Sequence, residues 1–334
     1  MNRVLCILVG FVVLAGLFAT QNCVADDAVP KSKTIRVLVL NFDPVVESEQ
    51  KRLHEVCGWF DPRQLAEGYA SDVKKSSGGF INYEIVKWLD VEDFPVKQDG
   101  FRYSTETYLA CRAGQEKWHA PDLADYPRLA EQYGVVDLVD ADKVDELWIF
   151  GGPYFGFHES AMMGPGAFYI NGGVYNRVGS RRAFAVMGFN YERGVAEMLH
   201  NLCHRTESTM TRVYGGWKAE ELSSNWSRFA ANVKQSGMAG VGSCHYPPNA
   251  ESDYDYGNKH EVESTADDWL NYPELTGRTA LVSCETWGGP DYHRNYMKWW
   301  FQHLPHADGI NPADGKLNNW WRYVFELDLL SEAQ

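Results

Sequence analysis

Two histidines four residues apart, His200 and His204, lie in the stretch MGFNYERGVAEMLHNLCHRTES between Met187 and Ser208. If residues 192–207 are helical, the two imidazoles stand one turn apart on a single face. Glu197 then sits three residues before the first, and Glu207 three residues after the second. A zinc ion takes neutral imidazole nitrogens about 2 Å away in a tetrahedral arrangement, and a rigid helix presents two of them at little ordering cost. The same spacing is also satisfied without metal, by two packed histidines bonded to the neighbouring carboxylates. A third ligand would favour the metal. The preferred residue is His245, between Cys244 and the Tyr246-Pro247-Pro248 corner, where consecutive prolines restrict the backbone.

Other groups with chemical potential are scattered. The glycine- and aromatic-rich segment 151–173 carries His158 and Glu159 beside Tyr154 and Phe155; as a loop leaving a strand it reads either as a binding rim or as a tight turn with a surface pair. Asp253, Asp255 and Asn258 form an oxygen-rich loop without the twelve-residue calcium spacing. His303-x-x-His306 is interrupted by Pro305. Cys203 projects about 100° round the helix from His204, which favours a buried thiol over a ligand. There is no Gly-x-Ser-x-Gly elbow, no phosphate-cradling Gly-x-x-x-x-Gly-Lys-Ser/Thr loop and no Cys-x-x-Cys pair.

These residues need elements to position them. The run 35–42 (IRVLVLNF) reads as a central strand, 80–89 as an alternating strand, and 144–150 and 183–188 as further strands, with an edge strand over 166–171. Helical periodicity over 49–75 breaks at Asp61-Pro62; shorter helices are expected over 105–115 and 123–133, and a longer one over 217–234. A last helix over 292–303 has His293 and His303 at its ends. The expected fold class is α/β: a mixed twisted sheet with flanking helices and a metal-site helix, followed by a loop-rich C-terminal portion. By position, residues 1–25 form a leader, 26–34 a flexible lead-in, and 35–210 the α/β portion. Residues 211–330 hold eight of the twelve tryptophans and pack on the same core.

With His200 and His204 on a helix that follows several sheet strands, segment 35–207 resembles the N-terminal half of the zincin peptidases, metzincins in particular. That resemblance implies a metal-dependent peptide or amide hydrolase whose edge strand borders a cleft above the histidine helix. His200 and His204 match the first two ligands of the family pattern. The family's His-Glu-x-x-His has a glutamate that takes a proton from the attacking water. Here Asn201 occupies that position, and Met210 falls where the longer family motif has its third ligand. An amide cannot take up that proton near neutral pH. Glu197, Glu207 and Glu159 are the candidates for the missing role. The phrases WIFGGPYFGFHES, MGFNYERG and HYPPN also resemble a group of secreted bacterial proteins, a likeness that assigns no activity.

Composition narrows the partners. With 31 basic and 45 acidic residues the chain carries a net charge of −14, and no basic field is available for nucleic acid or an anionic membrane. Arg3, the apolar run 4–19 and the Cys23-Val24-Ala25 exit read as a cleavable leader. The expectation is a secreted or periplasmic protein with no membrane span after leader removal. Five cysteines would remain, and Cys57–Cys111 and Cys244–Cys284 are plausible pairs. The expected function is an exported zinc-binding protein, with metal-dependent hydrolysis of peptide or amide bonds as the activity the resemblance implies. Its alternative is a glycan- or cell-wall-binding protein without catalysis, or a glycoside hydrolase using two carboxylates about 5 to 9.5 Å apart, with Glu159, Glu192 and Glu197 available.

Overall fold

The run KTIRVLVLNF forms β1 (Lys33–Phe42), buried on both faces in a six-stranded sheet. Its side chains alternate. Val37 and Val39 enter one core cluster, while Leu38, Leu40 and Phe42 enter the other. The remaining strands are β2 (Ile81–Val91), β3 (Glu146–Gly151), β4 (Ser160–Met163), β5 (Val174–Tyr175) and β6 (Phe184–Asn190). Their order is β2-β1-β3-β6-β4-β5. The first four of that order run parallel, β4 is antiparallel to β6, and β5 is parallel to β4.

Parallel neighbours need crossovers, and helices supply them. Between β1 and β2 lies α1 (Pro62–Ser76), which starts where Asp61 accepts from the amides of Arg63 (2.8 Å) and Gln64 (3.0 Å) and proline fills the first helical position. The same core cluster receives α2 (Val195–Val213), α3 (Tyr292–Gln302) and α4 (Trp320–Phe325). The opposite sheet face is covered largely by residues between 94 and 144. This is a mixed α/β architecture with helices flanking the sheet. The computed structural model describes residues 32–331. The expected leader and most of the lead-in lie outside them.

The helix that matters most, α2, begins at Gly194, whose amide donates to Glu197 Oε2 (3.1 Å). It is seated by one buried cation. Arg205 Nη1 reaches Glu146 Oε2 on β3 at 2.6 Å and Nη2 reaches the Val324 carbonyl on α4 at 2.9 Å, with both side chains of the ion pair 2% exposed. Trp148 Nε1 donates to the other oxygen of Glu146 (2.8 Å), so the carboxylate is bonded on both sides.

Several expectations need correction. Lys33 and Thr34 belong to β1, paired with Ile81 and Asn82, so the lead-in ends before them. Residues 166–171 are not a strand. Gly164, Gly166 and Asn171 take positive φ, Ile170 packs on Met162 and Ala185, and the strand falls upstream at Ser160–Met163. The helix expected over 217–234 is two short helices, Asn225–Phe229 and Val233–Ser236, because Ser224 and Asn232 each cap a new start. All five described cysteines are free thiols, so neither proposed disulfide exists; Cys111 Sγ instead contacts the Lys117 carbonyl at 3.2 Å and Cys244 Sγ the His200 carbonyl at 3.5 Å. Among the described residues no helix is long and apolar enough to cross a membrane.

Candidate metal centre

His200 and His204 project from α2 one turn apart, their ring centroids 4.6 Å from each other. His245 arrives from a loop 41 residues beyond His204, yet its ring lies 5.0 Å from that of His200 and 4.8 Å from that of His204. The loop is held from α3. Tyr296 Oη donates to the Ser243 carbonyl (2.8 Å) and Trp300 Nε1 to the Gly242 carbonyl (2.9 Å). Gly242 has φ +87°, and a Cβ there would sit 2.5 Å from the Tyr246 oxygen, so this turn requires glycine. A carboxylate completes the tie: Glu207 Oε1 accepts from the Cys244 amide at 2.7 Å.

The nitrogens are arranged in a consistent way. His204 Nε2 and His245 Nε2 face each other at 3.0 Å, close to the spacing of about 3.3 Å that two ligands of one tetrahedral zinc ion adopt. Each ring's other nitrogen has an outer partner. His204 Nδ1 meets Glu207 Oε2 at 3.1 Å, His245 Nδ1 meets Asp253 Oδ1 at 3.0 Å, and His200 Nδ1 meets His293 Nε2 at 3.2 Å with Tyr256 Oη at 3.4 Å. With Nδ1 as the donor in each case, Nε2 is the ring nitrogen that carries the lone pair, the tautomer ligating histidines require. His293 stacks on Tyr256 (centroids 4.4 Å, planes 5° apart), and its Nδ1 is 4.0 Å from Glu197 Oε1.

His200, His204, Cys244 and His245 thus form a group that could hold a metal ion, their ligand atoms all within 4.8 Å of one another. Burial, then the neighbouring imidazoles His204, His293 and His245, pull the His200 pKa down to about 2, so its ring is neutral as ligation demands. Burial also lowers His204, but the hydrogen bond and charge of Glu207 outweigh it, and the net shift is upward. Burial, followed by the adjacent Cys203, pushes the pKa of the Cys244 thiol up, and its sulfur lies against the α2 backbone. Three imidazoles and one thiol are together a donor set that suits a transition-metal ion.

Of the group, His200 lines a cleft of about 680 Å³ whose walls include Tyr154, Glu159, Arg193, Glu197, Tyr254 and His293. Glu159 is exposed at the start of β4, receives a hydrogen bond from Asn171 Nδ2, and adds its charge to that felt by His204. Glu197 is engaged at the Gly194 amide, and Glu207 at His204 and Cys244. Asn201 donates to the Gly188 carbonyl at 2.8 Å, an anchor of α2 to β6. That strand is pressed close to the rim, since a Cβ on Gly188 would fall 2.0 Å from the His158 oxygen. His158 itself contacts Tyr175 Oη at 3.2 Å. The acidic loop is internally bonded: Asp255 accepts from the Glu251 amide and from Asn258, and Asp253 serves His245. His303 is buried against Asp267 and the Trp299 carbonyl, whereas His306 is exposed, so the two do not share a site.

Tyr254, Tyr256, Asp253 and His293 were not selected as site residues from sequence. Tyr254 takes φ +59° and places its hydroxyl 3.2 Å from His245 Nε2. No spacing links these residues to α2; His293 is 93 positions from His200. The tyrosine-rich run after His245 is the one sequence signal that could have found Asp253, Tyr254 and Tyr256; none marks His293. No protein-family model matches the chain, and neither does any curated protein.

Proposed function

We propose that the protein is a zinc-dependent hydrolase of peptide or amide bonds, with His200, His204 and His245 as ligands. The observation that carries this reading is the gathering of three imidazoles beside a cleft that His200 lines, with the Nε2 atoms of His204 and His245 facing each other while each Nδ1 is held by a separate outer partner. A zinc ion there, when bound, would polarise the substrate carbonyl and acidify a water. The protein's own groups divide the remaining work. Glu159, an exposed acid of the cleft whose charge reaches His204, takes up and returns the proton in place of the absent helix glutamate. Tyr254 Oη, beside His245 Nε2, donates to the oxygen that gains negative charge. Glu197 and Glu207 position: the first backs His293, the second fixes the tautomer of His204. The leader-like start supports export as the setting, with an extracellular or periplasmic peptide as substrate.

A second reading is a metal-holding protein without turnover, and the commitment of Asn201 to Gly188 favours it. Stacking of the exposed Tyr154 on Trp118 (centroids 4.0 Å, planes 9° apart) at the cleft rim supports a glycan ligand for that reading. The discriminating experiment is elemental analysis of protein purified without chelator, followed by a peptide and amide hydrolysis screen. We expect about one zinc per chain, lost in His200→Ala/His204→Ala, and a Glu159→Gln variant that retains zinc but loses about 10²- to 10⁴-fold in kcat. Protein free of zinc, or zinc-loaded protein inert toward every amide tested, would remove the hydrolase reading.

A further inference from the structure

Arg193 stands at the entrance to α2 and lines the cleft, exposed and with no ion pair or side-chain hydrogen bond among the described residues. The acids of the same cleft are each engaged: Asp122 by Lys97, Glu159 by Asn171, Glu197 by the Gly194 amide. Glu192, its chain neighbour, makes no ion pair with it. A protein with a net charge of −14 therefore leaves one guanidinium unpaired in the cleft that borders its histidine cluster. Arg193 lines the cleft together with His200, His293 and Tyr254.

We infer that the cleft takes peptides by a free C-terminal carboxylate, gripped by Arg193 one residue beyond the bond that is cut. The inference rests on the hydrolase reading above and narrows it from amides in general to carboxypeptidase action. Arg193 lies two residues before the first helical position of α2, His200 lies five residues after it, about 7.5 Å along the axis, and both residues line the one cleft. A C-terminal residue held between them adds one Cα–Cα step of about 3.8 Å and ends in a carboxylate that a guanidinium can meet. In the step itself the terminal C–N bond breaks, the oxygen of water joins the carbonyl carbon and a proton goes to the departing nitrogen, so no oxidant or reductant is required. Guanidinium is suited to the grip because its planar fork meets both carboxylate oxygens and stays charged at any working pH.

The test uses zinc-loaded full-length mature protein and two pools of acetylated tripeptides randomised at every position, one ending in free acid and the other in amide. Products are read by mass spectrometry, and binding of each pool by native mass spectrometry. The expected result is release of single C-terminal amino acids from the acid pool at a rate ten- to a hundredfold above the amide pool. In Arg193→Gln that ratio collapses toward one, and Arg193→Lys recovers part of it. Equal cleavage of acid and amide, or a ratio that Arg193→Gln leaves intact, overturns the carboxylate grip while the hydrolase reading survives. Absence of all cleavage sinks the hydrolase reading instead. Binding then decides the grip alone: acid-selective retention lost in Arg193→Gln upholds it, whereas equal retention, or none, overturns it.

Discussion

Replacing Glu207 by glutamine tests whether the outer partners, and not the three imidazoles alone, make the metal centre. In the native arrangement Oε2 takes the His204 Nδ1 proton at 3.1 Å and Oε1 takes the Cys244 amide proton at 2.7 Å, so both oxygens act as acceptors. Glutamine has one acceptor and one donor end. If its oxygen stays with Cys244, its NH₂ group faces His204 Nδ1 and forces the proton to Nε2, where it blocks the ligand lone pair. If the amide flips, two donors meet at the buried Cys244 nitrogen. Loss of such a partner costs roughly 10- to 100-fold in metal affinity, about 1.4 to 2.7 kcal/mol. Competition against a chromophoric zinc chelator at neutral pH measures this directly, and thermal unfolding with and without zinc separates binding from folding. The zinc-free variant should unfold within a few degrees of zinc-free wild type, because the Cys244 bond survives in the first arrangement. Zinc affinity within twofold of wild type would refute the tautomer argument; an equal loss of stability with and without zinc would show that Glu207 serves the loop and not the ligand.

Three further outcomes are expected. Arg205→Met leaves the Glu146 carboxylate buried without its cation and should cost about 3–5 kcal/mol in denaturant unfolding; pairing it with Glu146→Leu should recover much of that loss, and a double variant worse than either single one would contradict the account. Gly188→Ala drives a methyl group against the His158 carbonyl, so about 1–3 kcal/mol of stability should be lost together with the register of β6 on β4; an unchanged melting curve would show that the rim yields freely. Burial lowers the folded pKa of His303 below its unfolded value near 6.5. The unfolded chain then binds a proton that the fold refuses, and stability falls as pH drops through about 6.5 toward the folded pKa. His303→Gln should flatten part of that slope, measured as unfolding free energy from pH 7.5 to 5, and a slope identical to wild type would deny His303 a share in it.

The parts legible in the sequence were those with a local period. The apolar run of β1, the Asp61-Pro62 break before α1, and the His200–His204 step along α2 all announce themselves within a few residues of chain. His245 was reachable because prolines mark its corner, and the structure brings it beside the helix pair. The edge strand was misplaced because residues 164–171 have strand-like composition, while positive φ at Gly164, Gly166 and Asn171 bends them out of the ladder. Cysteine pairing is illegible for a related reason: spacing along the chain carries no information about which thiols meet. Least legible was the outer layer of the site. His293, Asp253 and Tyr256 earn their places by what they touch, and contact across 93 residues leaves no periodic trace.

The ion pair beneath His204 bears on the order in which this protein is assembled. Domains that fold around zinc have no shape until the ion arrives, and chelators dismantle them. Here the neighbouring residue, Arg205, docks α2 on the sheet through Glu146 and on the last helix through Val324, and α3 holds the His245 loop by Tyr296 and Trp300. None of these contacts involves the ligand nitrogens. The chain can therefore reach its shape empty and be charged afterwards, and a chelated sample should keep its fold and regain full occupancy when zinc is returned. On the proposed zinc reading, metal content would then be a property of the surroundings in which the finished protein finds itself, set by free zinc there and not by conditions during folding.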